Sequence, residues 1–248
     1  MQHGHTVLIT GASRGIGAAT ALEAARQGYD VAVNFTHNRE AALKVVDTIE
    51  RLGRKAIAVQ GDVGQPADVE KLFAETEASL GPISALVNNA GITGPIGPFS
   101  QTTDATIESV FGVNVYGTMQ CCRAALASFS KSGRAGVIVN VSSVAARAGS
   151  ANEYIHYAAS KAAVETFTVG LAREVAASGV RVVAVAPGST LTEIHATAGE
   201  PGRPARVAPK IPLGRLANPE EIASTIVWLL SPSASYITGA VVPCAGGL

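Results

Sequence analysis

Tyr157 and Lys161 stand four residues apart in Tyr157-Ala158-Ala159-Ser160-Lys161. On a helix that spacing puts both side chains on one face, one turn apart. A phenol beside an ammonium is an acid–base pair: the positive charge favours the phenolate and pulls the phenol down from its ordinary pKa of about 10. A phenol shifted in that way can give a proton to, or take one from, an alcohol or carbonyl oxygen. Most Tyr-x-x-x-Lys pairs are solvated helix faces, so the pair means little without support. Two other stretches supply it. Gly11-Ala12-Ser13-Arg14-Gly15-Ile16-Gly17 is a Gly-rich turn of the kind that admits a pyrophosphate. Ser142-Ser143 lies just upstream of the Tyr/Lys segment and offers hydroxyl donors for an oxygen on which charge develops.

The chain of 248 residues suits one sizeable domain, and 47% hydrophobic residues suffice for a large core. Lys+Arg and Asp+Glu each number 19, and that balance argues against a nucleic-acid binder. No apolar run approaches the length needed to span a bilayer. The N-terminal stretch enters a strand-like segment without the features of a secretory signal, so a cytoplasmic protein is expected. Cys121, Cys122 and Cys244 have no metal-like spacing and read as reduced, apolar thiols. No metal site is expected. His3 and His5 read as part of a flexible tail.

The elements that must position the chemistry follow from periodicity. Thr6–Thr10, Val31–Phe35, Lys55–Gln60, Ala85–Asn88, Gly136–Val141, Val180–Ala186 and Ala240–Val242 are short apolar runs that read as strands. Helices are expected over Ala18–Gln27, Arg39–Leu52, Pro66–Leu80, Asp104–Ser130, Tyr154–Ser178 and Pro219–Leu230. Strands that alternate with helices and are apolar throughout imply an α/β fold: one doubly wound, Rossmann-type parallel sheet with helices on both faces. No linker divides the chain, so residues 1–248 form one domain. A polar stretch at about 189–215 is the one long interruption. In such sheets ligands bind at the carboxyl ends of the strands. Gly11–Gly17, Asp62-Val63, Asn88–Gly91, Ser143 and Pro187-Gly188 all fall there.

With these motifs in this order, the sequence resembles the short-chain dehydrogenase/reductase family over its whole length. Thr10-Gly11-x-x-x-Gly15-x-Gly17 is similar to that family's cofactor loop. Asn88-Asn89-Ala90-Gly91 is similar to its fourth-strand motif, and Pro187-Gly188-x-x-x-Thr192 to the loop at the nicotinamide carboxamide. Asn114, Ser143, Tyr157 and Lys161 match its catalytic set. The resemblance implies that Tyr157 exchanges the proton, Lys161 lowers its pKa and bonds the ribose, Ser143 bonds the substrate oxygen, and Asn114 holds a water. It places further cofactor contacts at Gly11, Ser13, Arg14, Gly15, Ile16, Gly17, Asn34, Thr36, Asp62, Val63, Asn89, Ala90, Gly91, Pro187, Gly188, Thr190 and Thr192. It also implies a seven-stranded sheet, a homotetramer, a substrate lid over about 189–215 and a small-molecule carbonyl or alcohol as substrate.

An acidic residue at the end of the second strand would bond a ribose 2′-OH and repel a 2′-phosphate. Asn34 occupies that place here, and Arg14 offers a guanidinium that matches phosphate geometry. NADP is therefore expected over NAD. Of the adjacent serines, which point to opposite sides, the resemblance selects Ser143. His156 adjoins Tyr157 but faces about 100° away on a helix. His195, in the polar stretch, offers either a substrate contact or a solvent-exposed ring, and the surface is the expected place. Tyr154 serves the pocket or packing equally well, and Glu153 and Arg147 are weaker candidates. The expected activity is interconversion of a carbonyl and a secondary alcohol, of the sugar-dehydrogenase or ketone-reductase type. Alternatives are a 3-oxoacyl thioester reductase and, in another class, a non-catalytic NADP-binding regulator. The intact Asn114–Ser143–Tyr157–Lys161 set favours the enzyme.

Overall fold

A strand buried on both faces cannot alternate polar and apolar residues, and each central strand here carries an almost unbroken aliphatic run. The computed structural model describes residues 5–248. His3 lies outside the described residues. Strand β1 (His5–Ile9) leads to helix α1 (Gly15–Arg26), β2 (Tyr29–Phe35), α2 (Arg39–Arg51), β3 (Ala56–Gln60) and α3 (Pro66–Leu80). Next come β4 (Ile83–Asn88), α4 (Asp104–Phe111), α5 (Thr118–Ser132), β5 (Val137–Val141) and the single turn α6 (Ala145–Ala148). The chain ends with α7 (Ile155–Val175), β6 (Arg181–Pro187), the short α8 (Ile194–Thr197) and α9 (Arg203–Val207), α10 (Pro219–Leu230) and β7 (Val241–Cys244).

The seven strands are all parallel, in the order β3-β2-β1-β4-β5-β6-β7. The winding reverses beside β1, which lies between β2 and β4, so a ligand crevice belongs at that point. Side chains alternate between two cores. Val7, Ile9, Val31, Val33 and Val87 meet α1, α2 and α10 on one face. Leu8, Ala32, Leu86 and Ile138 meet α3, α5 and α7 on the other. Helix starts follow local chemistry: Pro66 fills the first turn of α3, and the Asn38 side chain accepts from Ala41 N at 2.9 Å at the start of α2.

Inside the second core one polar chain crosses from strand to helix. Asn88 and Asn140 are register partners on β4 and β5, and Asn88 Nδ2 donates to Asn140 Oδ1 at 2.9 Å. Asn140 Nδ2 then donates to Thr168 Oγ1 of α7 at 2.9 Å, and both asparagines are buried.

Several expectations change. His5 does not belong to a tail: it opens β1, and its ring lies 5.7 Å from that of Tyr29. The expected single helix over 104–130 is two helices joined by a π-helical turn at Gly112–Gly117. Such wide turns recur at functional sites, and this one carries Asn114. The stretch 189–215 contains α8 and α9. No helix of the described residues is long and apolar enough to cross a membrane.

Candidate active site

The Gly-rich turn is bound to the end of β4 before any ligand arrives. Thr10 Oγ1 accepts from Asn89 N and Ala90 N, each at 3.0 Å. Asn89 Nδ2 donates back to Thr10 O at 2.9 Å and to Gly11 O at 3.0 Å. Gly11 and Gly15 take left-handed backbone angles, φ +60° and +54°. Gly17 is needed for close approach: a Cβ there would lie 2.5 Å from Gly11 O and would strike Asn89 Nδ2. The first turn of α1 has no side-chain cap, so its amide N–H groups face the cavity unpaired by any side chain. An uncapped helix start behind a glycine cradle fits a pyrophosphate.

One cavity of about 870 Å³ runs along the carboxyl edge of the sheet. Gly11, Ser13, Arg14, Gly15, Ile16, Gly17, Asn34, Thr36, Asp62, Val63, Asn89, Ala90, Gly91, Pro187, Gly188, Thr190 and Thr192 all line it, together with Ser143, Tyr157 and Lys161. Asn114 does not.

Lys161 Nζ lies 5.7 Å from the centre of the Tyr157 ring and donates to Val141 O at 2.8 Å. Burial brings Lys161 down to about 8, even though the Val141 carbonyl favours its ammonium. The expected lowering of Tyr157 is not found. Burial pushes its phenol up and outweighs the hydrogen bond with Ser143 and the charge of Arg203, which both favour the phenolate. Desolvation by the surrounding protein thus dominates. Ser143 Oγ lines the cavity and accepts from Ala145 N at 3.1 Å. Ser142, which also borders the cavity, is buried, and its Oγ donates to Glu165 Oε1 at 3.0 Å.

Two residues expected at the site spend their side chains on the protein itself. Asn114 is fully buried, its Oδ1 accepts from Ile92 N at 2.9 Å, and its Nδ2 donates to Ile92 O and Ser160 Oγ at 2.9 and 3.0 Å. It props the turn beside Gly91 and the helix of Tyr157. Asn34 is only 1% exposed, accepts from Gly11 N at 3.1 Å and donates to Val59 O and Gly61 O at 3.3 and 3.0 Å. It fastens the glycine turn to the end of β3. The first exposed residue after β2 is Thr36, followed by His37 and Asn38 on the cavity wall. Arg14 is exposed on the same wall, and its guanidinium has no hydrogen-bond or ion-pair partner among the described residues.

His156 is buried and turned away, with Nε2 bonded to Thr93 O at 2.8 Å. His195, expected at the surface, is buried and bonded through Nε2 to Thr190 O at 2.9 Å. Arg203 was not visible as a site residue in the sequence. It lies on the cavity wall against Glu153, 50 positions earlier, and no local pattern links the two.

Comparison with known proteins agrees with this geometry. The family model described as enoyl-(acyl carrier protein) reductase matches residues 11–248. The chain is 48% identical over 242 residues to the Escherichia coli uncharacterized oxidoreductase YgfF, covering 97% of this chain and 98% of that one. It is 39% identical over 247 residues to an L-rhamnose 1-dehydrogenase (NAD(P)(+)) of Sphingomonas, covering 99% and 96%. Among solved structures it is similar to a blue fluorescent protein from a metagenomic library in complex with NADPH: 32% identity, TM-score 0.91, and 99% and 98% of the two chains. The chain belongs to the short-chain dehydrogenase/reductase family. It is an NAD(P)-dependent oxidoreductase of that family.

Proposed function

We propose that the protein is an NADP-dependent enzyme that interconverts a carbonyl and a secondary alcohol, with Tyr157 as acid and base. The observation that carries this reading is the meeting of Tyr157, Ser143 and Lys161 in the cavity that the glycine cradle opens into. The cofactor, when bound, supplies or accepts the hydride. Gly11–Gly17 and the uncapped start of α1 would hold its pyrophosphate, and Arg14 would meet a 2′-phosphate. The protein's own part is position and proton traffic.

In carbonyl reduction the Tyr157 hydroxyl donates its proton to the substrate oxygen, and Ser143 donates a hydrogen bond to the same atom as negative charge develops. Lys161 sets its charge beside the phenolate that results. Burial raises Tyr157, so at neutral pH it carries the proton this direction requires. Alcohol oxidation needs the phenolate instead and is expected to gain rate as pH rises. Asn114 keeps Ile92 and Ser160 in place, which positions Gly91 and the first turns of α7. The segment 189–215, with α8 and α9, is a substrate lid in this reading.

The test is a panel of carbonyls and alcohols followed at the nicotinamide absorbance band with both cofactors. Tyr157→Phe keeps the ring and removes the proton. It should reduce turnover by roughly 10²–10⁴-fold or more while leaving cofactor affinity nearly intact. Near-normal kcat in that variant on a confirmed substrate would overturn the mechanism.

A further inference from the structure

Beyond Tyr157 the cavity has a second wall, built from two segments far apart in sequence. Glu153 ends the loop before α7, and Arg203 opens α9. Arg203 Nε and Nη2 both donate to Glu153 Oε2, at 3.3 and 2.7 Å. Glu153 Oε1 accepts from Arg206 Nη2 at 2.8 Å, and Arg206 also holds Glu200 at 2.6 and 2.7 Å. Burial alone would raise Glu153, but hydrogen bonds from Arg203 and Arg206 keep its carboxyl below the ordinary range. The Arg203 guanidinium is 9% exposed and lies 5.4 Å from the centre of the Tyr154 ring, which packs edge-on against Tyr157 at 5.3 Å. It is held by Glu153 and Tyr154, one ring away from Tyr157.

A guanidinium has five N–H donors. Nη1 of Arg203 has no partner among the described residues and is not one of the fully buried unpaired atoms, and Arg203 lines the cavity. His195 lines the same wall. Its Nε2 faces a carbonyl oxygen, so that nitrogen carries the hydrogen and Nδ1 is an acceptor. Burial lowers the pKa of His195, the Thr190 contact opposing it, and this favours the neutral ring. The wall therefore offers one strong donor and one acceptor.

We propose that Arg203 and His195 are substrate-binding residues that recognise a hydroxyl next to the reacting carbon, and that this site selects neutral, polyhydroxylated, sugar-type substrates. This inference rests on the oxidoreductase reading of the same cavity. A hydroxyl has both a lone pair for Arg203 and a hydrogen for His195 Nδ1, whereas a carboxylate has no hydrogen for the acceptor. The ion pairing agrees: Glu153 and Glu200 match Arg203 and Arg206, so neither guanidinium is an unpaired charge that would draw an anion. A site built around a buried polar group penalises a substrate that leaves it unpaired, which makes the missing hydroxyl more costly than a missing methylene.

The experiment compares aldoses with cyclohexanol, a ring alcohol with no neighbouring hydroxyl, for the wild-type protein and Arg203→Met. Met keeps an unbranched apolar stem against Tyr154, and Glu153 retains Arg206, so no charge is orphaned. Wild type should prefer an aldose by kcat/KM. Arg203→Met should lower aldose kcat/KM by about 10- to 100-fold more than it lowers that of cyclohexanol, which shares only the effect of the lost charge on Tyr157. Equal losses on both, or a wild-type preference for cyclohexanol or an acyl thioester, would overturn the inference while leaving the oxidoreductase reading in place. If Arg203→Met fails to fold, Arg203→Lys should show a smaller loss confined to the aldose. Calorimetric titration of the aldose into NADP-loaded Tyr157→Phe, with and without Arg203→Met, decides the matter apart from turnover. Aldose binding weakened by the second substitution supports the site, and no binding, or binding indifferent to Arg203, removes it. Absence of turnover with every carbonyl and alcohol would sink the oxidoreductase reading separately.

Discussion

Replacing Lys161 by Met should stabilise the cofactor-free protein at pH 7, and the gain should disappear by about pH 10. Lys161 is 4% exposed, and burial lowers its pKa from 10.5 to about 8. At neutral pH the fold therefore holds an ammonium it would rather not hold. The gap is about 2.5 pH units, and at about 1.36 kcal/mol for each it corresponds to roughly 3 kcal/mol. Below about pH 8 the folded and unfolded chains both carry the proton, so the whole penalty is present. Between 8 and 10.5 the folded chain has released it and the unfolded chain has not. The unfolded state then binds more protons, and stability rises with pH across that window. Met carries no charge and escapes the penalty, but it cannot donate to Val141 O, which costs about 1 kcal/mol. The variant should thus be more stable than wild type by about 2 kcal/mol at pH 7 and less stable by about 1 kcal/mol near pH 10.5. Urea unfolding of both proteins, followed by circular dichroism at three pH values, measures the difference. A variant less stable at pH 7, or a difference that does not change with pH, would refute the claim that burial governs this lysine.

Ser143→Ala should cost on the order of 10²-fold or more in kcat, whereas Ser142→Ala should keep most activity because its hydroxyl faces Glu165; steady-state kinetics on one substrate compares them. Gly17→Ala should abolish cofactor binding in a fluorescence titration, since a Cβ at that site lies 2.5 Å from the backbone oxygen of Gly11; an unchanged Kd would show that the turn is not the cradle. Arg14→Ala should weaken NADPH by about tenfold to a hundredfold and leave NADH unchanged, while Thr36→Asp should invert the preference. Asn34→Asp should instead lower stability by about 2 kcal/mol, because a carboxylate oxygen would face the Val59 and Gly61 carbonyls, and a simple switch of cofactor preference in a fully stable Asn34→Asp protein would contradict this.

The sheet was legible because burial on both faces leaves a direct trace: Val31 to Phe35 and Val180 to Ala186 have no room for a polar alternation. The convergence of Gly11, Asn89, Ser143 and Gly188 was legible for the same reason, since parallel strands deliver all their carboxyl ends to one edge. What stayed hidden depends on direction and on long-range contacts. The end of β2 could be located, but not that Asn34 turns inward and spends its amide on Gly11, Val59 and Gly61. The helix spacing of Tyr157 and Lys161 was clear, yet the direction of the phenol's shift depends on how much protein surrounds it. Glu153 and Arg203 meet through tertiary folding alone. The π turn at Gly112–Gly117 has no compositional mark, although it is where Asn114 reaches Ile92 and Ser160.

The amide pair of Asn88 and Asn140 works as an alignment key between the two halves of the reaction centre. β4 delivers the residues that clamp the glycine turn, and β5 delivers Ser143 opposite Tyr157. Aliphatic strands slide past one another with little preference for one register, since Val against Val is much the same one step along. A slip of one residue would carry Ser143 about 3.3 Å along the sheet and turn alternate side chains to the wrong face. It would also strand two buried amides, at roughly 1–3 kcal/mol for each group left unpaired. An otherwise interchangeable apolar lattice thus acquires a single permitted setting. The placing of the glycine turn against Ser143 is in this sense specified by two side chains that line no part of the cavity.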